Sequence, residues 1–259
     1  MRHLTLLALG LLAACSTVQP PRGQQNQFIS SANFADTDPH DWERTKPSAY
    51  PVHGIDLSKF QTSVDWENAR ANGVNFAFIK ATEGGDQTDP LFDSHWQNAG
   101  RAGVARGAYH FYYHCRPASE QARWFISHVP RTPGALPPVL DMEWTPRSPT
   151  CRTRRAPETI RAEAKVFLDA IAKHYKTKPI LYTAIDFYED NELWRLENTE
   201  FWLRSTAAHP RDLYTDQPWT FWQYTSTGRA TGIEGPLDLN AFAGSKTAWL
   251  DWRDSRCQR

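Results

Sequence analysis

Asp141 and Glu143 flank Met142 at the end of an apolar run, Pro137-Pro138-Val139-Leu140, and Trp144 follows them. In an extended strand, side chains at i and i+2 leave the same face, so the two carboxyl groups stand together with centres roughly 6 to 7 Å apart. Acids that close resist ionising together; their pKa values separate, and one can hold a proton near neutral pH. A proton donor beside a carboxylate suits acid-catalysed cleavage of an acetal. An isolated Asp-x-Glu is more often two solvated acids at a strand end, so the weight rests on the surroundings. Acids recur where other apolar runs stop, Asp56 in Gly54-Ile55-Asp56-Leu57-Ser58 and Glu83 in Lys80-Ala81-Thr82-Glu83-Gly84, and Asp238 in Leu237-Asp238-Leu239-Asn240 sits on the last such run.

Gathering these acids requires strands that end at one place. After residue 50 the pattern alternates strand with helix. Strands are predicted at residues 52–57, 74–81, 107–113, 136–142, 179–183, 201–205, 220–225 and 236–242. Helices are predicted at residues 64–72, from Asp89-Pro90 to Ala102, at 118–128, and from Pro157 to about Tyr175, with Gly73 and Gly103 as stops. Strand-helix alternation argues for a parallel sheet in an α/β fold, and eight such strands argue for closure into a barrel, irregular because the last three links leave little room for helices. In such barrels side chains converge at the C-terminal strand ends. Asp56, Glu83, Asp141, Glu143 and Asp238 then share one acidic cleft, with Tyr109 and Phe111 on the third strand.

The composition narrows the partners. With 29 basic and 29 acidic residues the chain offers no electrostatic case for nucleic acid. Its 11 Trp, 9 Tyr and 13 Phe can supply both a core and faces for sugar rings. His110, His114 and Cys115 lie close in sequence without a matched second ligand set, so no metal or other cofactor is expected. The sequence has no Gly-x-Ser-x-Gly elbow for a serine nucleophile.

Arg2 followed by the apolar residues Leu4 to Ala14 is too short to span a bilayer, and Leu12-Ala13-Ala14-Cys15 resembles a bacterial lipoprotein signal. That resemblance implies removal of residues 1–14 and a lipid on Cys15, hence attachment to a membrane. Ser16 after the cysteine resembles signals for the outer membrane of Gram-negative cells, on the periplasmic side. Without Arg2 the remainder carries 28 basic and 29 acidic residues. Residues 15–50 are polar and aperiodic and read as a flexible tether, with an end-to-end distance of about 30 to 35 Å. The catalytic domain is expected over 51–250, with 251–259 a tail. Export permits disulfides. Cys115 and Cys151 follow successive strands and are able to pair, leaving Cys257 free or competing for one partner.

The set of motifs resembles the glycoside hydrolase family 25 lysozymes, the Chalaropsis-type N-acetylmuramidases. The resemblance rests on Gly54-Ile55-Asp56-Leu57-Ser58, Phe78-Ile79-Lys80-Ala81-Thr82-Glu83-Gly84, Gly107-Ala108-Tyr109-His110-Phe111-Tyr112, Leu140-Asp141-Met142-Glu143, Trp222-Gln223-Tyr224-Thr225 and Leu237-Asp238-Leu239-Asn240, in that order over about residues 52 to 245. It implies a flattened (β/α)5β3 barrel, monomeric, that hydrolyses the β-1,4 bond between N-acetylmuramic acid and N-acetylglucosamine in peptidoglycan. It further implies Glu143 as general acid and Asp141 as support for a substrate 2-acetamido group that attacks the anomeric carbon, with Asp56 and Asp238 completing the cluster. An inverting route, with an Asp activating water, stays open. Glu83, Tyr109, Tyr182, Trp222 and Tyr224 are candidates for substrate contact. The excursion from Thr145 to Arg155 carries Arg152, Arg154 and Arg155, read as a solvated basic loop in preference to a carboxylate receptor. The competing functional class is a peptidoglycan-binding lipoprotein without turnover; a glucosaminidase of the same fold is the nearer alternative.

Overall fold

The computed structural model describes residues 29–214 and 216–259. The signal and Cys15 lie outside the described residues. In chain order the elements are β1 (Phe34–Asp36), β2 (His53–Leu57), α1 (Trp66–Ala71), β3 (Phe76–Glu83), β4 (Gln87–Thr88), α2 (Phe92–Arg101), β5 (Ala105–Phe111), α3 (Ala118–His128), β6 (Val139–Asp141), α4 (Pro157–Tyr175), β7 (Ile180–Ala184), α5 (Ile185–Asp190), β8 (Glu200–Arg204), α6 (Pro210–Leu213), β9 (Phe221–Ala230), β10 (Leu237–Phe242) and α7 (Lys246–Arg256). Local chemistry sets several boundaries. The Asp65 carboxylate accepts the Asn68 amide at 3.0 Å to open α1, and Gly73, at φ +113°, turns the chain out of it. Pro157 occupies the first turn of α4. Helix α2 starts at Phe92 instead of Pro90, because Asp89 spends one oxygen on the Leu91 amide and the other on the Lys59 amide.

Eight strands close into a barrel in the order β2-β3-β5-β6-β7-β8-β9-β10. Neighbours are parallel from β2 round to β9, whereas β10 runs antiparallel to both β9 and β2. Alternation along each strand divides the apolar residues into two layers. Ile55, Ile79, Leu140, Leu181 and Leu203 face outward against Phe125, Phe167 and Ile171 of the helices. Phe76, Phe78, Val139, Ile180, Trp202 and Phe221 face inward and fill the barrel floor. Two motif glycines make that floor possible. A Cβ on Gly54 would stand 2.3 Å from the Phe76 carbonyl oxygen, and one on Gly107 2.9 Å from the Phe78 ring. The Phe78 ring stacks on Trp202 with centroids 4.6 Å apart.

Both ends of the domain depart from expectation. The C-terminal stretch is helical: α7 lays Trp249 against Phe76 and Phe242, centroids 5.4 and 5.2 Å away, and closes the barrel at the N-terminal ends of its parallel strands. Gln258 continues the packing, its amide donating to Ala135 O at 2.9 Å. Residues 29–50 are not a free tether. β1 pairs antiparallel with β9, Phe34 opposite Ala230 and Asp36 opposite Gly228, and the Trp42 ring meets Trp222 edge-on at 5.0 Å. The cause is the shortage of helices after β8. The outer sides of β9, β10 and β2 carry Trp222, Tyr224 and His53, and burial of such rings stabilises by about 2 to 3 kcal/mol each. The N-terminal segment supplies the missing layer.

Candidate active site

The C-terminal ends of the parallel strands and the beginning of β10 meet at one mouth. There a cavity of about 280 Å³ is lined by Asp56, Tyr109, Asp141, Glu143, Tyr182 and Asp238, together with the cations Lys80 and Arg204. Asp56 and Asp238 face each other across the β2–β10 pair. Asp141 is the partner of Phe111 on one side and Tyr182 on the other, and Glu143 continues its alternation two residues past β6. Larger hollows of about 650 and 770 Å³ lie elsewhere on the surface, but neither gathers a group of acids. Chemistry, not size, marks the site.

Hydrogen bonds distinguish the acids. Asp56 Oδ2 accepts from Gln223 Nε2 at 2.9 Å and from Asn240 Nδ2 at 2.7 Å. Each amide is oriented by a donor on its own oxygen: the Tyr182 hydroxyl donates to Gln223 Oε1 and the Trp202 indole N–H to Asn240 Oδ1. Both amides therefore turn N–H toward Asp56, which favours its charged form. Asp141 Oδ1, by contrast, is buried and has no hydrogen-bond partner among the described residues. Its main chain is fixed, its carbonyl accepting the Tyr112 amide and the next amide, of Met142, donating to Tyr182 O. His114 Nε2 donates to the Glu143 carbonyl at 2.9 Å while the ring stacks on Phe187.

Burial is the main force on all four acids. It drives Asp56 up to about 6 against the pull of its two amides and of Arg204. Asp238 rises to about 8 through burial and the charge of Asp56. Asp141 is pushed well above the ordinary carboxylate range by burial and then by Glu143, and Glu143 is raised by burial, with Arg204 opposing. The acids ionise as a group, and the charge settles first where donors wait for it, on Asp56. Tyr109, half-buried, and Tyr182, buried, lie beside these acids and are held protonated by desolvation and by the acids' charge.

Most residues named from sequence converge here, and three do not. Glu83 stands one step outside the cavity, bound to Lys80 Nζ at 2.6 Å and to the Tyr113 hydroxyl. Trp222 and Tyr224 are corrections: both point out of the barrel. Trp222 is fully buried, its indole N–H donating to Ser205 O at 2.7 Å, and the Tyr224 hydroxyl lies 3.1 Å from His53 Nδ1. Asn240 pairs with Gln223, and paired residues share a face, so Gln223 turns inward and its neighbours outward. Sequence reasoning missed Arg204, Trp202, Gln223 and Phe60, whose ring is 77% exposed at the rim. His110 and Cys115 have other duties: His110 is held between Thr82 and Gln121, and Cys115 forms a disulfide with Cys151, Cα atoms 5.6 Å apart, leaving Cys257 free. That bridge anchors the loop after Glu143. The loop's arginines stay at its surface, with Arg154 over the Trp144 ring at 4.4 Å and 3.3 Å from Asp190.

Comparison with known proteins points one way. Residues 55–233 match the glycosyl hydrolases family 25. The Escherichia coli K12 protein YegX is 35% identical over 204 residues, covering 77% of this chain and 72% of its own length. Lysozyme M1 of Streptomyces globisporus is 32% identical over 214 residues, covering 77% and 70%. A family 25 glycosyl hydrolase from Bacillus anthracis superposes with a TM-score of 0.71 at 31% identity, covering 83% of this chain and 98% of its own.

Proposed function

The chain belongs to the glycosyl hydrolases family 25, and on that footing we propose how its cleft works. The activity is that of a lysozyme, a muramidase that hydrolyses peptidoglycan between N-acetylmuramic acid and N-acetylglucosamine. In our reading Glu143 protonates the glycosidic oxygen. The observation that carries this is position: Glu143 lines the cleft two residues past Asp141, and burial raises its carboxyl against the pull of Arg204, whereas two oriented amides favour the charged form of Asp56. A carboxyl whose pKa is raised by burial holds its proton to higher pH than an ordinary one and can give it to a leaving oxygen.

Asp141 takes the complementary part. Its unpartnered Oδ1 is an acceptor suited to the N–H of the substrate's 2-acetamido group, and accepting that hydrogen bond favours the charged carboxylate. The acetamido oxygen, oriented by this contact, attacks the anomeric carbon as the leaving oxygen takes the Glu143 proton. Asp56 supports the developing positive charge and Asp238 positions water, and the exposed Phe60 ring offers an apolar face to a sugar. Substrate assistance predicts a product that retains the anomeric configuration. Inversion, seen by NMR of the first product, would instead make an Asp the base that activates water.

Replacing Glu143 with Gln is expected to lower kcat on purified peptidoglycan by at least about a thousandfold, with the fold and the affinity for glycan kept. Mass spectrometry of the wild-type digest should show reducing muramic acid ends. Reducing glucosamine ends would make the enzyme a glucosaminidase, and no release of ends at any pH would make the protein a binder without turnover.

The protein is exported. We propose in addition that Cys15 carries lipid and holds a monomeric enzyme at the periplasmic face of an outer membrane, within reach of the wall. Labelling with radioactive palmitate should disappear in Cys15→Ser; persistent labelling of that variant would refute the anchor.

A further inference from the structure

Two cations face the cleft from opposite walls, and they are not equivalent. Lys80 on β3 is committed: its ammonium holds Glu83 at 2.6 Å and sits 4.6 Å from the centre of the Phe111 ring. Arg204 ends β8, four strands away round the eight-stranded barrel, with Ala184 and Gln223 as its strand neighbours. Its backbone is tied, the carbonyl accepting the Tyr214 hydroxyl at 2.6 Å. Its guanidinium is not. Among the described residues it makes neither a hydrogen bond nor an ion pair, although it is half-buried and shares the cavity with Asp56, Glu143 and Asp238.

An arginine among four acids ordinarily closes on one of them, because a fork of N–H donors matches a carboxylate. Here Asp56 is turned to its two amides, none of the four acids closes on the guanidinium among the described residues, and the five donors of Arg204 stay available. The substrate poses a matching problem. The charge held on Asp56 repels any negative group on the glycan, and the muramic acid residue carries such groups. Without peptide its lactyl ether ends in a free carboxylate; with peptide, the stem brings carboxylates of its own. An unpaired guanidinium on one wall is the feature that would admit them.

We propose that Arg204 is a specificity residue that receives a carboxylate borne by the muramic acid side of the glycan. The proposal rests on the muramidase reading above and adds to it which strands the enzyme prefers. The rival role is purely internal. The charge of Arg204 opposes the burial that raises Asp56, Glu143 and Asp238, and in that role it serves only to tune them. In that case its removal would act alike on every substrate.

The test uses one preparation of glycan strands in three forms: carrying stem peptides, stripped to free lactyl carboxylates, and stripped with those carboxylates converted to neutral methylamides. Wild type should favour a carboxylate-bearing form over the methylamide by about tenfold in kcat/KM. Arg204→Gln should erase that advantage, its loss on the carboxylate-bearing forms exceeding its loss on the methylamide by about tenfold, and Arg204→Lys, which keeps charge without the fork, should fall between. An advantage on stripped strands identifies the lactyl carboxylate, and one confined to peptide-bearing strands identifies the stem. Equal losses on all three forms, with a shifted pH profile on the methylamide, would overturn the proposal. So would a wild type that does not discriminate, which decides the matter even if the variants fail to fold. Affinities of the Glu143→Gln protein for the three forms give the same ranking without turnover. Absence of hydrolysis by wild type would thus count against the muramidase reading alone, while the ranking still judges Arg204.

Discussion

Strand β9 carries Gln223 on one side of the sheet and Trp222 and Tyr224 on the other, and the two sides obey different requirements. Inward, the polar groups form a directed chain in which Tyr182 orients Gln223 and Gln223 orients Asp56. Outward, Trp222 lies against Trp42, Tyr50, His209 and Trp219, with ring centroids 5.0 to 6.2 Å apart. The inner side holds acids where burial disfavours their charge; the outer side excludes water from rings and gains stability. One motif, Trp222-Gln223-Tyr224-Thr225, serves both, so membership of a motif does not give a residue its task. The face does.

The strongest way to break this contrast is Trp222→Ala. Removing a fully buried indole and its hydrogen bond should cost about 4 kcal/mol, a fall in Tm of roughly 8 to 16 °C for a domain of this size. Below that temperature kcat/KM should stay within about threefold of wild type. A large loss of activity with little change in Tm would place Trp222 in the substrate's path and undo the division of faces. Asp141→Asn should do the reverse. It keeps the shape and removes the charge, so kcat should fall about a hundredfold, equivalent to about 2.7 kcal/mol of transition-state stabilisation, while Tm moves by no more than about 2 °C. Calorimetry and single-substrate kinetics on the two proteins measure both halves of the comparison.

The same contrast explains what could be read in the sequence. Asp56, Asp141 and Glu143 were legible because each closes an apolar run, and the end of a barrel strand is a single place in space; Asp238 reaches the same place from the beginning of the antiparallel β10. Phe76 and Phe78 follow from that, since inward parity is shared along β3. Parity could not place Trp222 and Tyr224, because a strand covered on both sides shows which residues share a face without showing which face is inward; the pairing of Gln223 with Asn240 decides it. The packing of residues 29–50 was missed for a related reason. Phe34, Trp42 and Tyr50 are apolar rings in a polar stretch, and a solvated tether has no use for them; their partner surface became visible only once Trp222 was known to face outward. Arg204 could have been noticed as the charged residue closing Phe201-Trp202-Leu203, but its lack of a partner is a fact of three dimensions.

The smallest effect separates the two faces by the sign of their pH dependence. Burial raises Asp56 to about 6 and Asp238 to about 8 from an ordinary 3.8, so the folded protein binds protons there more tightly than the unfolded chain. Their contribution to stability is complete below about pH 4 and is lost as pH climbs through 6 and 8. On the outer side Asp36 behaves oppositely. Burial pushes it up, but the hydroxyls of Thr225 and Thr227 and the amides of Asp38 and Thr37 prevail and hold it below its usual value. Its contribution is present above about pH 4 and lost as pH falls. Asp238→Asn should therefore raise stability by about 1 to 2 kcal/mol at pH 8.5 and leave it unchanged at pH 4. Asp36→Asn should lower stability at pH 8.5 and have no effect at pH 2. Thermal melts of both variants across this range decide the point: parallel curves would mean that the acids of the cleft are no more strained than an acid on the outer wall, and that protonation of Glu143 has to be explained by the substrate instead of by the fold.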